Sequence, residues 1–349
     1  MLRFGLIGCG RIGIRHARLL SDISGAELAA VCDIKAERAE KFAKEFNVPF
    51  YSDYLKMVET EHPDTVNICT PSGMHAEHAI NCAGKVPNII CEKPMALKLA
   101  DADRMIETCA SKKSRLFIVK QNRFNLPIIK LREALDHGRF GKLYLATVRV
   151  HWRRMQDYYD MDDWHGTWAM DGGVLTNQAS HHIDMLQWML GPISNVFAMT
   201  DTMLHKIEVE DIGVALLKAR SGAVGIIEAT TNTSPEDLEG SINVYGENGT
   251  VEIGGFAMNR ISTWKFDRMT DEDGRIATEF NQNPPDVYGF GHRAYLEHVI
   301  DGIVNNKQGL IDGFEARKSL EIITAIYESA ETSRMITLPF TPSKCRLGR

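Results

Sequence analysis

The chain has 349 residues, enough for two domains with separate cores, and its 44% apolar and 25% charged residues are the proportions of an ordinary globular protein. Lysine and arginine number 40 against 46 acidic side chains, a net charge of −6 with no basic stripe or aromatic-basic array, so nucleic acid is not an expected partner. No apolar run reaches transmembrane length and the N-terminus enters a strand directly, leaving no room for a signal peptide; no membrane partner is expected, and the expected location is cytoplasmic.

In chain order, residues 1–33 form a strand, turn, helix and strand. The apolar run over 4–7 ends in Gly8-Cys9-Gly10-Arg11-Ile12-Gly13, and helical spacing follows through Ile14, Ala17, Leu19 and Leu20. Gly8 allows the tight turn, Gly10 removes a side chain where a pyrophosphate approaches the backbone, and Gly13 lets the helix sit close to the strand. The first-turn N–H groups of that helix then face the phosphates. A second apolar run stops at Asp33, about 20 residues past Gly13, where a carboxylate accepts hydrogen bonds from ribose hydroxyls and repels a 2′-phosphate. The expected cofactor is NAD rather than NADP, with the qualification that Arg11 offers a guanidinium to a phosphate.

Strand and helix keep alternating, the pattern of a parallel, doubly wound sheet. Helices are expected over 35–46, 53–61, 73–85 and 99–112. Strands over 64–70, 88–91 and 115–120 end in Thr70-Pro71-Ser72, Glu92-Lys93-Pro94 and Gln121-Asn122-Arg123, at the carboxyl ends where ligands sit in such sheets. Cys9, Cys32, Cys69 and Cys91 also fall at strand ends, as reduced core thiols do; with Cys82, Cys109 and Cys345 they form no C-x-x-C pair.

The second half changes character. After a helix over 126–137, strands are expected over 143–152, 195–202, 212–219, 223–231, 241–245 and 250–253, the last two joined at Glu247-Asn248-Gly249. They imply a mostly antiparallel sheet. A helix over 173–190 interrupts the series, and helices over 289–305 and 313–332 close it, the latter with Asp312 as N-cap and Glu315 three residues on. These helices cover one face of the sheet; the other has no cover within the chain and is expected to pack on another subunit, most simply with two-fold symmetry. The expected fold class is α/β: an N-terminal doubly wound sheet followed by an α+β domain with a large open sheet.

Four groups are candidates for chemistry. Lys93, flanked by an acid and a proline at a strand end, would feel the positive nicotinamide ring, which disfavours its charged form and moves it toward acid/base use; the bland reading is a solvated lysine. In the stretch from Gly172 to Asp184, Asn177, His181 and Asp184 share one face if the segment is helical, whereas His182 points elsewhere; the alternative is a structural histidine paired to Asp184. No metal is expected, since His181 and His182 diverge without a third ligand and the His75/His78 spacing stands alone. Three tryptophans and two tyrosines between positions 152 and 168, with Arg153 and Arg154, suit a loop whose rings pack on a base or sugar and whose arginines pair with anions, or else a subunit contact. Finally, Tyr288-Gly289-Phe290-Gly291-His292 offers backbone N–H groups to an anion, or is a glycine-softened loop.

Together, Gly8 to Gly13, Asp33, Thr70-Pro71 with His75, Glu92-Lys93-Pro94 and the segment carrying His181 resemble the glucose-fructose oxidoreductase and inositol dehydrogenase (Gfo/Idh/MocA) family over nearly the whole chain. The resemblance implies an NAD-binding Rossmann domain over 1–122 and a substrate-binding and oligomerisation domain over 123–349, in a homodimer or homotetramer. It places Gly8, Gly10, Arg11, Ile12, Gly13, Asp33, Ile34, Thr70, Pro71, Ser72, His75, Glu92, Lys93, Gln121 and Trp164 at the cofactor.

Within the family, the stretch from Trp152 through Tyr158-Tyr159-Asp160, Trp164-His165-Gly166-Thr167-Trp168 and Asp171-Gly172-Gly173 to Asn177-Gln178 resembles the bacterial UDP-N-acetylglucosaminuronate 3-dehydrogenases. Those enzymes oxidise the sugar C3 hydroxyl to a ketone in surface-polysaccharide (O-antigen) biosynthesis, and some return the hydride to 2-oxoglutarate. The resemblance implies a UDP-sugar acid substrate held by Lys93, Arg153, Tyr158, Tyr159, Asn177, Ser180, His181 and Tyr288. His181 or Lys93 is the base and the other polarises the same oxygen, while Arg153 meets an anionic group. Many family members carry Asp-x-x-x-His where this chain has Asn177 before His181; an amide cannot accept a proton, so Asn177 is expected to position a hydroxyl. Two rivals stand beside this reading. One is an inositol or free-sugar dehydrogenase, separated by turnover of UDP-sugar acids against neutral polyols. The other is a non-enzymatic NAD sensor, against which the retention of both Lys93 and His181 speaks.

Overall fold

The computed structural model describes residues 1–279, 289–307 and 311–349. The chain forms two compact units, Met1–Lys120 with Arg293–Arg317, and Gln121–His292 with Lys318–Arg349. In the first, β1 (Leu2–Ile7), β2 (Ala26–Cys32), β3 (Phe50–Tyr51), β4 (Thr65–Ile68), β5 (Asn88–Cys91) and β6 (Arg115–Ile118) form one sheet in the order β3-β2-β1-β4-β5-β6. Every pairing is parallel. Parallel neighbours require crossovers that cover both faces, which is why β4 and β5 are buried at every position, the polar Thr65, Asn67 and Asn88 included. The order reverses beside β1, so the crevice at a doubly wound sheet's switch point opens where the glycine loop begins.

Local signals set the crossovers of this unit. Asp53 caps the helix Tyr54–Glu61, its Oδ1 accepting from Leu55 N–H at 2.8 Å and Lys56 N–H at 3.3 Å. Arg293–Arg317 is anchored by ion pairs from Arg293 to Asp22 and Arg317 to Asp103, and by Ile118 N–H donating to the Ile311 carbonyl at 3.2 Å. The cysteines are all buried and unpaired, and burial pushes the Cys9 and Cys32 thiols up to about 12.

The second unit contains β7 (Leu143–His151), β8 (Ile193–Asp201), β9 (Ile212–Ala219), β10 (Val224–Thr230), β11 (Glu239–Gly246), β12 (Gly249–Gly254), β13 (Arg260–Phe266) and β14 (Ile336–Thr337), in the order β13-β12-β11-β7-β10-β9-β8-β14. The β7–β10 pairing is parallel and the others are antiparallel. The helix Ser180–Leu190 lies against β7, β10 and β11. On the far face of β8 and β9, Phe197, Met199, Val214 and Leu216 stand exposed, Met199 at 72%. The reading of this half needs correcting: the helix Asp271–Glu279 and β14 lie outside the expected elements, and Arg293–Arg317, expected to help cover this sheet, belongs to the first unit. β13 was not expected, because a register shift opposite Glu252/Ile253 breaks the period of two that identifies a strand. The helix expected from 173 starts only at Ser180, for a reason given below. Among the described residues no helix is long and apolar enough to cross a membrane.

Candidate active site

The three glycines after β1 act in three ways. Gly8 has φ +102, and a Cβ there would lie 2.6 Å from Cys69 O; one on Gly13 would lie 2.1 Å from Gly8 O, so the helix Arg11–Asp22 starts directly on the strand end. A Cβ on Gly10 would meet nothing within 4 Å. With Gly10 as its N-cap, that helix has no side-chain cap and no acidic residue in its first turn, and the amides of such a helix start are the donor set a diphosphate takes. Arg11 is exposed and Ile12 half-buried beside them. Asp33 is anchored, its Oδ2 accepting from Cys9 N–H and its Oδ1 from Lys35 N–H, each at 2.8 Å. This carboxylate suits ribose hydroxyls and opposes a 2′-phosphate. Ile34 holds an apolar side chain 83% exposed next to it.

Behind the strand ends, polar side chains brace the loops. His75 is buried with Nε2 2.8 Å from Thr70 O and Nδ1 2.7 Å from Pro94 O, so it ties the loop after β4 to the loop after β5. Burial pushes its pKa down, against the pull of those two carbonyls and of Glu92. Thr70 Oγ1 lies 3.1 Å from His78 Nδ1, and Pro71 leads into the single turn Ser72–Met74, where Ser72 is buried. A second chain ends at Lys93. Asn67 Nδ2 lies 3.0 Å from His16 Nδ1, His16 Nε2 lies 2.9 Å from Glu92 Oε1, and Glu92 Oε2 accepts from Lys93 N–H at 3.0 Å. With the amide donating, His16 carries its proton on Nε2 and gives it to Glu92, which is held from both sides just before the half-buried Lys93.

In the second unit, residues before Ser180 form a turn: Ala179 N–H reaches back to the Val174 carbonyl at 2.8 Å, one residue out of helical register, and Glu210 takes two amides of the segment. Val174 N–H donates to the Glu210 carbonyl at 3.1 Å and Leu175 N–H to the Glu210 carboxyl at 2.9 Å. Asn177 and His181 therefore do not share a helix face. Asn177 stands on the turn, its Nδ2 donating to Asp171 Oδ1 at 2.6 Å, and Ser180 Oγ donates to Asn177 O at 3.3 Å. His181 is buried in the first helical turn with Nε2 3.0 Å from Gln121 Nε2; with the amide donating, the imidazole keeps its proton on Nδ1. Asp184, expected beside His181, is taken by Arg123, whose Nε and Nη2 reach its oxygens at 2.7 and 3.0 Å while the guanidinium lies 4.6 Å from the Trp188 ring centroid. This buried bidentate pair fixes Gln121–Phe124 on the helix and so sets Gln121 against His181.

The aromatic loop is stitched to its own unit. Arg153 N–H donates to Asp237 Oδ1 at 2.6 Å and its guanidinium to Pro235 O, while Arg154 lies 5.4 and 5.6 Å from the Trp152 and Tyr158 rings. Tyr159, expected to line a sugar pocket, is buried with its hydroxyl 3.1 Å from Thr231 Oγ1. Tyr158 meets Tyr159 and His165 edge-on at 5.0 Å, and Trp164 stacks on His165 at 3.8 Å; both Tyr158 and Trp164 keep part of their surface exposed. A cavity of about 360 Å³ opens beside the loop between Tyr159, Asp160, His165, Lys206 and Glu208. In the fourth group, a Cβ on Gly291 would lie 2.0 Å from Gln121 O, which gives that glycine a packing role; Tyr288 lies outside the described residues.

Comparison with known proteins agrees with this arrangement. Residues 2–120 match the model of an oxidoreductase family with an NAD-binding Rossmann fold, and residues 128–252 match the GFO/IDH/MocA C-terminal domain. The chain belongs to the Gfo/Idh/MocA oxidoreductase family. Among its relatives, the myo-inositol 2-dehydrogenase of Thermotoga maritima is 30% identical, the alignment covering 97% of this chain and 98% of that one. Among solved structures, the WlbA dehydrogenase of Bordetella pertussis in complex with NADH and UDP-GlcNAcA is 40% identical with a TM-score of 0.91, covering 97% of this chain and 98% of that one. A second WlbA, from Chromobacterium violaceum and bound to the same two molecules, is 39% identical at the same TM-score, covering 97% and 96%.

As a member of this family the chain is an NAD-dependent oxidoreductase, and its first unit fits that cofactor: the open cradle at Gly10, the uncapped helix start and the anchored Asp33 are residues of its own that would hold it. Sequence reasoning missed the residues that brace the site. Arg123, Glu210 and Tyr327 lie 61, 35 and 151 positions from the groups they hold, so no local pattern reports them, and Asp171, 6 positions from Asn177, falls outside helical spacing. A signal did exist for one pair: Val209-Glu210-Asp211 sets two acids against the start of an apolar strand, where burial is the rule.

Proposed function

We propose that the chain oxidises the C3 hydroxyl of UDP-N-acetyl-D-glucosaminuronic acid to the ketone with NAD, in the cytoplasm, as a step of surface-polysaccharide biosynthesis. The observation that carries this reading is 40% identity across 97% of the chain to a dehydrogenase crystallised with NADH and that nucleotide sugar, against 30% for the myo-inositol enzyme. The loop between 151 and 168 supports it, since its rings and guanidinium groups suit a base, a sugar and acidic groups better than a neutral polyol.

Bound NAD supplies the hydride acceptor at its nicotinamide C4. His181 takes the proton of the C3 hydroxyl on Nε2, a role a neutral imidazole fills near neutral pH, for which that nitrogen must exchange the Gln121 amide for the substrate hydroxyl. Asn177, its amide held by Asp171, positions a hydroxyl, and Ser180 steadies the same turn. Lys93 is assigned to polarise the sugar oxygen as it gains charge. Arg153 is assigned to an anionic group, for which its guanidinium must exchange the Pro235 carbonyl for the ligand. The apolar stripe of Phe197, Met199, Val214 and Leu216 supports a homodimer or homotetramer packed through the open sheet. In this reading 2-oxoglutarate regenerates the oxidised cofactor.

The test is NADH formation, followed by absorbance in the nicotinamide band, with UDP-GlcNAcA, UDP-GlcNAc and myo-inositol offered separately. Turnover is expected with the uronic acid alone. Oxidation of myo-inositol without oxidation of UDP-GlcNAcA would replace the proposal with an inositol dehydrogenase.

A further inference from the structure

Two buried acids at the entry to β9 have no part in the chemistry just described. Asp211 is explained by folding: it accepts from the backbone N–H groups of Met203, Leu204 and His205 and from the Asn232 amide, which shapes the loop before it. Glu210 is not explained that way. It is 3% exposed, its Oε1 accepts from Leu175 N–H at 2.9 Å and from the Tyr327 hydroxyl at 2.8 Å, and its Oε2 has no partner among the described residues. The Tyr327 hydroxyl in turn lies 2.7 Å from Thr176 Oγ1 and accepts from Gly173 N–H at 3.4 Å. Residues 173, 175 and 176 thus hang on one pivot made by Glu210 from the strand side and Tyr327 from the helix Gly313–Thr332.

The turn is shaped around this pivot. A Cβ on Gly173 would lie 2.1 Å from Glu210 Oε2, and Gly172 adopts φ +81. A buried carboxyl with an unpaired oxygen is costly, and an apolar side chain of that size would avoid the cost but hold neither the amide nor the hydroxyl. What the carboxyl controls is the path of residues 172–179, the segment that presents Asn177 and leads into Ser180 and His181. We propose that Glu210, acting with Tyr327, is a positioning residue for the sugar oxidation, holding this turn so that Asn177 and His181 meet the substrate hydroxyl in register. The inference rests on the dehydrogenase reading above. Burial pushes the carboxyl up to about 7, with the Asp171 charge in the same direction and Leu175 N–H and the Tyr327 hydroxyl opposing; below neutral pH glutamine is therefore its isostere.

The test compares Glu210→Ala, Glu210→Gln and Tyr327→Phe, at a pH just below neutral, on whichever of UDP-GlcNAcA and myo-inositol the wild type oxidises. A mistaken substrate then shows in the wild type and a mistaken positioning role only in the variants. Glu210→Ala is expected to lower kcat about tenfold or more while NADH Kd stays within about twofold, and Glu210→Gln to return kcat to within about threefold of wild type. Hydrogen exchange of the amides at 174–178 is expected to quicken in Glu210→Ala and not in Glu210→Gln, a readout that needs no substrate and decides the matter if neither sugar is oxidised. If Glu210→Ala does not fold, Tyr327→Phe, which removes one hydroxyl from the same pivot, is expected to lower kcat about threefold or more. Unchanged kcat in the folded variants, a glutamine variant as impaired as alanine, or NADH binding lost in step with kcat would each overturn the proposal.

Discussion

Two glycine turns lead into helices in this molecule, and they are built by opposite means. After β1 the space a Cβ on Gly10 would occupy is open and Gly10 brings no side-chain cap, which suits the proposal that a diphosphate completes this turn. At 172–179 the space beside Gly173 is filled by Glu210, which also takes the Leu175 amide, so the turn is completed by the protein itself. Other glycines also face open space, so what sets Gly10 apart is its place between a strand end and a helix start, and what sets Gly173 apart is the buried carboxyl beside it. The first kind is disturbed mainly in binding and the second mainly in stability and alignment.

The largest effect that sharpens this contrast lies just beyond the braced turn. Replacing His181 by alanine should lower kcat about 10³-fold, the scale of a lost general base, while leaving NADH affinity as in the wild type. Steady-state kinetics and fluorescence titration with NADH check both halves. Equal kcat in His181→Ala would remove the proposed base and turn attention to Lys93.

The next effect is the pH response of the brace. The Glu210 carboxyl is raised in the folded protein to about 7, so the folded state keeps a proton that the unfolded chain has already released. Its contribution is complete below the ordinary carboxylate range and is lost as pH climbs through about 7, an amount of about 3 kcal/mol. Urea unfolding of wild type and Glu210→Gln between pH 5 and 8 is the check: the wild type should lose stability across that interval more steeply than the glutamine variant. Parallel pH profiles would mean that Glu210 titrates as an ordinary surface acid does.

The open turn should respond in binding alone. Gly10 has φ −93, a conformation alanine adopts, and its Cβ would clash with no protein atom, so Gly10→Ala should fold with nearly wild-type stability. NADH affinity should nevertheless fall about tenfold or more, because the methyl group stands where a diphosphate approaches the amides. A titration showing unaltered NADH affinity would place the phosphates away from Gly10.

The same contrast explains what the sequence could disclose. The glycine loop, Asp33 and the strand ends at Thr70 and Lys93 are legible because each stands in a local strand-and-turn pattern wherever its partner lies, as Asp33 closes a strand although its carboxylate reaches back 24 positions to Cys9. The parallel first sheet is legible for a related reason, since strand and helix alternate along the chain, as crossovers between parallel neighbours require. The second half of the site is held by partners remote in sequence, and there local reasoning fails in a particular way. Periodicity makes 173–190 a helix and puts Asn177, His181 and Asp184 on one face; the segment before Ser180 instead forms a turn held by Glu210, and Arg123 takes Asp184. The sequence pattern groups these residues in one segment without giving its geometry.

The smallest effect serves as the control that separates legibility from function. Asp53 is as readable as any residue in the chain, an acid set before a helix, and it accepts from two backbone amides as its position suggests. It also lies in the unit that carries the nucleotide loop, so a general softening of that unit would reach Gly10 as well. Asp53→Ala should cost about 1 kcal/mol through the lost cap. Denaturant unfolding should show that loss while NADH affinity and kcat remain those of the wild type. A drop in NADH affinity comparable to that of Gly10→Ala would mean that the open turn is not a preformed cradle but one whose shape depends on the stability of the whole sheet, and the distinction between the two glycine turns would have to be drawn elsewhere.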